Sequence, residues 1–131
     1  MKVLALDYGS ARTGVAVSDP TGTVARPVGV VERAATEDGL ARLAELVRAE
    51  EPERIVVGLP LTLRGERGEQ AIETEQFVEA LRAAVDVPVE SFDERFTTTL
   101  AGQTPSRSSE DARAAAHLLT SYLTWRSGRK S

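Results

Sequence analysis

The sequence contains no cysteine, which excludes a disulfide framework and a thiolate zinc site. It has one histidine, His117, so a His-rich metal site is excluded and a Ser-His-Asp triad is disfavoured. No apolar run is long enough to span a bilayer. The N-terminus enters a strand-like run directly, without the pattern of a signal peptide. No membrane partner is expected, and the expected compartment is the cytoplasm. Lysine is also scarce, since arginine outnumbers it 14 to 2. That bias suits phosphate recognition, and a GC-rich genome would produce it too.

What is present fits a single domain. The chain has 131 residues, 41% hydrophobic and 27% charged, the profile of an ordinary globular protein with one core. The expected domain is 1–126, followed by a flexible basic tail at 127–131. The formal net charge is −4, but it is unevenly spread. Residues 95–131 carry six basic groups against two acidic ones, a net of +4, and the rest carries ten against 18, a net of −8. A basic C-terminal third could face phosphate. Charge alone favours a solvated tail on an acidic body.

"KVLALDY" is apolar on both faces, as a central covered strand would be. "GSARTG" reads as a hairpin turn and "GVAVSD" as the returning strand. "DPTG" at 19–22 is a type I turn signature, and Pro27 marks the third strand, 23–32, as an edge. Thr36 is a helix cap before a stripe of Leu40, Leu43, Ala44 and Val47. "RIVVGLPL" is a buried parallel-type strand. A second amphipathic helix spans 69–85, a fifth strand reads "VPVESF", and Ser108 opens a last helix ending near Trp125. The order is βββαβαβα. Tight turns demand antiparallel pairing and helical crossovers favour parallel pairing. The expected fold is therefore α/β: a mixed five-stranded sheet with helices on both faces, the ribonuclease H-like layout.

That topology gathers acidic residues. Asp7 ends the first strand, Asp93 and Glu94 follow the fifth, and Asp111 lies in the first turn of the last helix. Sites in such sheets form at the carboxyl ends of the parallel strands. Clustered carboxylates without His or Cys suit oxygen-ligand binding of Mg²⁺ or Mn²⁺, and such ions support phosphodiester cleavage. Backbone amides of the turn could instead satisfy Asp7, but its apolar strand favours a metal role. Asp93 and Glu94 could form a surface turn paired with Arg95, and which of them faces the site is left open. Ser108 and Asp111 resemble a capping box, yet Asp111 shares the buried stripe of Ala115, Leu118 and Tyr122. Gly58 and Pro60 end a strand and would let backbone approach a substrate. Thr97, Thr98 and Thr99 would cap a helix or contact phosphate. His117 reads as structural and Trp125 as packing.

Four segments, "DYGSARTGVAVSD", "IVVGLPL", "FDERFTTTLA" and "DARAAAHLL", occur in the order and spacing of the YqgF family, also called RuvX, and the chain resembles that family over nearly its whole length. The resemblance implies a ribonuclease H-like fold related to the resolvase RuvC. It also implies a metal-dependent nuclease maturing the 5′ end of precursor 16S ribosomal RNA, or resolving Holliday junctions. The family's acidic residues fall on Asp7, on Asp93 or Glu94, and on Asp111. The implied metal ligands are Asp7, Glu94 and Asp111. Substrate contacts are expected at Gly9, Arg12, Gly58, Pro60, Arg95, Thr97, Thr98, Arg107 and Arg113. The segment before "DARAA" is short and lacks the family's usual lysines, for which Arg107 and Arg113 would substitute. The fourth strand carries no acid where ribonuclease H and RuvC enzymes place one, so the "DER" acid must compensate.

Three functions compete: a nuclease on structured or single-stranded RNA, the same chemistry on branched or single-stranded DNA, and a catalytically weak nucleic-acid-binding module. Resolution of junctions would need a homodimer, for which Tyr122 and Trp125 are candidate face residues. "DYGSARTG" also matches the phosphate loop of actin-like kinases, which need two such domains; one copy in 131 residues cannot build their cleft.

Overall fold

A computed structural model describes residues 1–61, 64–94 and 110–128. Its elements are β1 (Val3–Asp7), β2 (Arg12–Ser18), β3 (Ala25–Glu32), α1 (Glu37–Glu50), β4 (Arg54–Leu59), α2 (Glu69–Ala84), β5 (Val89–Asp93) and α3 (Glu110–Gly128). The order is the expected βββαβαβα. The capping expectation at Ser108 lies outside the described residues, and α3 continues through Ser127 and Gly128, past the expected end.

The five strands form one sheet in the order β3-β2-β1-β4-β5. β1 pairs antiparallel with β2 and parallel with β4. β2–β3 is antiparallel and β4–β5 parallel. β1 is thus central, which explains its unbroken apolar run. β3 is an edge strand, where Pro27 removes no needed ladder donor. The register between β2 and β3 shifts between Val15 and Ala16, whose partners are Gly29 and Pro27. β3 starts later than its apolar pattern suggests because Asp19 takes its first amides: the carboxylate accepts from Thr23 N at 2.7 Å and Val24 N at 2.9 Å.

Strand alternation splits the core in two. Leu4, Leu6, Val15, Ile55 and Val57 pack on one face against Leu43 and Val47 of α1 and Phe77 and Leu81 of α2. Val3, Ala5, Ala16, Val56 and Phe92 pack on the other against Ala115, Leu118, Leu119 and Tyr122 of α3. Thr36 caps α1, its Oγ1 accepting from Gly39 N at 3.1 Å. Tyr122 is buried, edge-on to Phe92, with its hydroxyl hydrogen-bonded to Glu90. This removes it as a candidate for an exposed dimer face. Trp125 packs 5.5 Å from Phe92 and stays partly exposed.

Candidate active site

The odd residues of β1 face α3: Val3 and Ala5 lie in that core, and Asp7 continues their side. Asp7 pairs across the sheet with Gly14, and Val57 pairs with Leu6, so Gly58 flanks Asp7 on the other side. The carboxylate therefore sits between two glycines.

Each glycine makes room for something. A Cβ on Gly14 would lie 1.8 Å from the Asp111 carbonyl oxygen, so only glycine lets the first turn of α3 rest on β2. A Cβ on Gly58 would lie 2.6 Å from Glu94 Oε1 and 3.1 Å from Leu118 Cδ2. The Glu94 carboxyl thus occupies the space over β4 that an acid on that strand would fill. Gly14 was not among the expected site residues. Its signal was a glycine inside a β-branched strand, which marks a close approach of backbone.

Asp7 and Glu94 share a hydrogen bond between their carboxyls. Burial pushes Glu94 up to about 7, with the Asp7 charge and that hydrogen bond adding to it. Burial also raises Asp7; the hydrogen bond to Glu94 opposes this and the Asp111 charge adds to it. The turn does not supply the partner: Gly9 N–H faces Thr13 Oγ1 at a long 3.4 Å. Gly9 is fixed by crowding instead, because a Cβ there would lie 2.5 Å from the Arg12 carbonyl oxygen.

Asp93 is set on the other side of the sheet, although its charge still acts on Glu94. It ends β5 one residue after Phe92, and alternation sets it with Val89 on the α2 side. Of the two acids, only Glu94 joins Asp7. Asp111 stands near enough for its charge to act on Asp7, but its Oδ2 is 3.3 Å from Arg12 Nε. Arg12 is mostly exposed, so this ion pair is weak and readily opened. Among the described residues, no three His, Asp or Glu side chains converge closely enough to enclose an ion. The three expected ligands are thus split: two paired, the third held by arginine. Pro60 follows β4 directly and is half-buried, as is Arg113 on α3. Arg95, Thr97, Thr98, Thr99 and Arg107 lie outside the described residues. Among the described residues, no helix is long and apolar enough to cross a membrane.

The sequence model of the RuvX family, described as "Holliday junction resolvase", matches residues 1–125. A protein of Chloroflexus aggregans named "Putative pre-16S rRNA nuclease" is 42% identical over 92% of this chain and 92% of its own. A protein of Desulforudis audaxviator with the same name is 38% identical over the full length of both chains. Among solved structures, RuvC of T. thermophilus in complex with a Holliday junction substrate aligns with a TM-score of 0.65 and 22% identity, over 98% of this chain and 96% of that one. That likeness bears on the fold, which is the ribonuclease H-like architecture expected from the sequence.

Proposed function

Because this chain belongs to the RuvX family, we propose that it is a divalent-metal-dependent nuclease that processes precursor 16S ribosomal RNA. The observation that carries the reading is the carboxyl pair of Asp7 and Glu94, set over Gly58 at the carboxyl end of the parallel strands.

The pair fits a hard cation. Its donors are all oxygen, and burial raises both carboxyls, so a bound cation would favour their charged forms. Mg²⁺ typically binds through one or two carboxylates plus waters and substrate phosphates, so two convergent carboxyls suffice as the protein's share. Asp7 and Glu94 would hold the ion, with Asp111 as the third carboxylate at the rim. When bound, Mg²⁺ or Mn²⁺ would activate water and stabilise the leaving oxygen of a phosphodiester. The chain's own residues do the rest. Gly58 leaves room for the Glu94 carboxyl beside Asp7, and Gly14 lets the first turn of α3 bring Asp111 to the rim. Arg12, exposed at the start of β2, draws phosphate to the rim and fixes its register.

Junction resolution is the second reading, favoured by the description of the matching family. A cleavage assay with Mn²⁺ or Mg²⁺ separates the two. It compares a 5′-extended 16S precursor, single-stranded DNA and a four-way junction, each with wild type and Asp7→Asn. Asp7-dependent cutting of the precursor alone supports the proposal. Paired, symmetric cuts in the junction move the assignment to resolution and require a dimer in sedimentation. Binding without cleavage in both proteins identifies a binding module.

A further inference from the structure

A long trough runs along the solvent side of α1 and α2, on the face of the sheet opposite α3 and the carboxyl pair. It has two lobes of about 560 and 490 Å³, joined at Ala44, Arg48 and Ala84. Each lobe is in the size range of a specific binding site. Small side chains keep the trough open: Ala41 and Ala44 from α1 meet Ala80 and Ala83 from α2. Val47, Val85 and Val87 line the larger lobe at the helix ends, where the lining is as polar as it is apolar.

The rim is mostly acidic. Glu37 and Glu45 line one lobe, and Glu51 and Asp86 the other, against Arg48 as the single basic lining residue. The trough's lining residues all fall within residues 1–94, the segment that carries the net −8. Four carboxylates repel a nucleic-acid backbone. They also oppose a second copy of this chain, because a two-fold contact sets the same patch against itself and would confront like charges. An apolar floor with an anionic rim suits a helix that is small and apolar on one face and cationic on its flanks.

We propose that the α1–α2 trough is a docking site for a cationic amphipathic helix of a protein partner. Docking there leaves the carboxyl pair on the other face open to nucleic acid, so partner and substrate can be held together. This goes beyond the nuclease assignment and does not depend on it.

The test uses the full chain and a synthetic helical peptide of about 15 residues, alanine- and leucine-rich on one face with lysine and arginine on both flanks. Its counterpart carries glutamate at the cationic positions. Backbone amide shifts are followed by NMR. The cationic peptide should shift Ala44, Ala80 and Ala84, while the acidic peptide should not. The double variant Glu45→Lys, Glu51→Lys, at two exposed positions, should weaken binding by about tenfold or more with the amide shifts around Asp7 unchanged. Three results overturn the proposal. One is no trough shifts at millimolar cationic peptide. Another is shifts confined to residues around Asp7 and Arg12. The third is trough shifts that appear with protein concentration alone, which would make a second copy the occupant.

Discussion

Glu94 fills the space that a side chain on Gly58 would take, its Oε1 lying 2.6 Å from where that Cβ would stand. The two residues are geometrically linked: the glycine on β4 leaves the room that a carboxyl delivered from the end of β5 takes. Gly58→Ala should therefore act as a site mutation rather than a core mutation. The atom in the way is the far end of a flexible side chain, so the fold adjusts at a cost of about 1 kcal/mol, while the carboxyl is pushed from Asp7. Cleavage should fall by about tenfold or more with Tm lowered by only about 3–5 °C. Full activity in the variant would show that the placement of Glu94 over Gly58 is incidental.

The same geometry separates two adjacent acids. Glu94→Gln should remove cleavage by on the order of 100-fold or more, and Asp7→Asn likewise, because each removes a charge at nearly constant shape. Asp93→Asn should leave the rate within about threefold, since its side chain is set on the α2 side of β5. Equal losses at 93 and 94 would contradict this division. Calorimetry gives a reading free of turnover: Mn²⁺ should bind wild type and Asp93→Asn, and fail to bind Asp7→Asn.

How far these positions could be read in advance depends on the range of the interaction involved. Asp7 was legible because a carboxylate inside "KVLALDY" violates its own local pattern. Asp111 was legible on the helical stripe with Ala115 and Leu118. The choice between Asp93 and Glu94 was not, because neighbours in a strand face opposite sides and the side is fixed only by Phe92 meeting α3. The ion pair of Arg12 with Asp111 joins residues 99 positions apart, and no local pattern encodes it. Tyr122 was read as a surface candidate although it lies on the buried stripe; its hydroxyl is met by Glu90 from another strand. The start of β3 was misjudged because the capture of Thr23 and Val24 by Asp19 outweighs their β-propensity.

The raised pKa of Glu94 sets a pH dependence of stability. The folded carboxyl titrates near 7 against an ordinary value of 4.5, so between those values the folded state holds a proton that the unfolded chain has released. Stability of the metal-free protein should fall as pH rises from about 5 to 7.5. Allowing for the partial solvent exposure of the group, the loss is on the order of 1–2 kcal/mol. Glu94→Gln should flatten the curve in thermal melts, and saturating Mn²⁺ should raise the wild-type Tm at pH 7.5. A wild-type melt that stabilises between pH 5 and 7.5 without metal would contradict the buried carboxyl pair.

Arg12 and Asp111 form an exposed ion pair at 3.3 Å, and such pairs contribute about 0–1 kcal/mol to stability. Arg12→Ala should leave Tm within about 2 °C. If Arg12 meets a backbone phosphate, the variant should bind single-stranded nucleic acid more weakly, without regard to sequence. The slope of log K against log salt should shrink by about one. Fluorescence anisotropy at several salt concentrations measures both. Weaker binding with an unchanged slope would mean that Arg12 acts only by holding Asp111.

Gly14 should tolerate nothing larger. Its neighbour is backbone, the Asp111 carbonyl at 1.8 Å from a Cβ and the Ala112 amide nitrogen at 3.0 Å, so no side-chain rotation can relieve the clash. Gly14→Ala must lift the first turn of α3 off β2, at about 3 kcal/mol. Because Asp111 sits in that turn, its carboxylate moves with it. The expected signature is a clear drop in Tm together with loss of cleavage, in contrast to Gly58→Ala, which should lose cleavage with only a small drop in Tm. Were Gly14→Ala to melt like wild type, α3 would not be seated on β2 as described, and the position of Asp111 beside Asp7 would have to be abandoned with it.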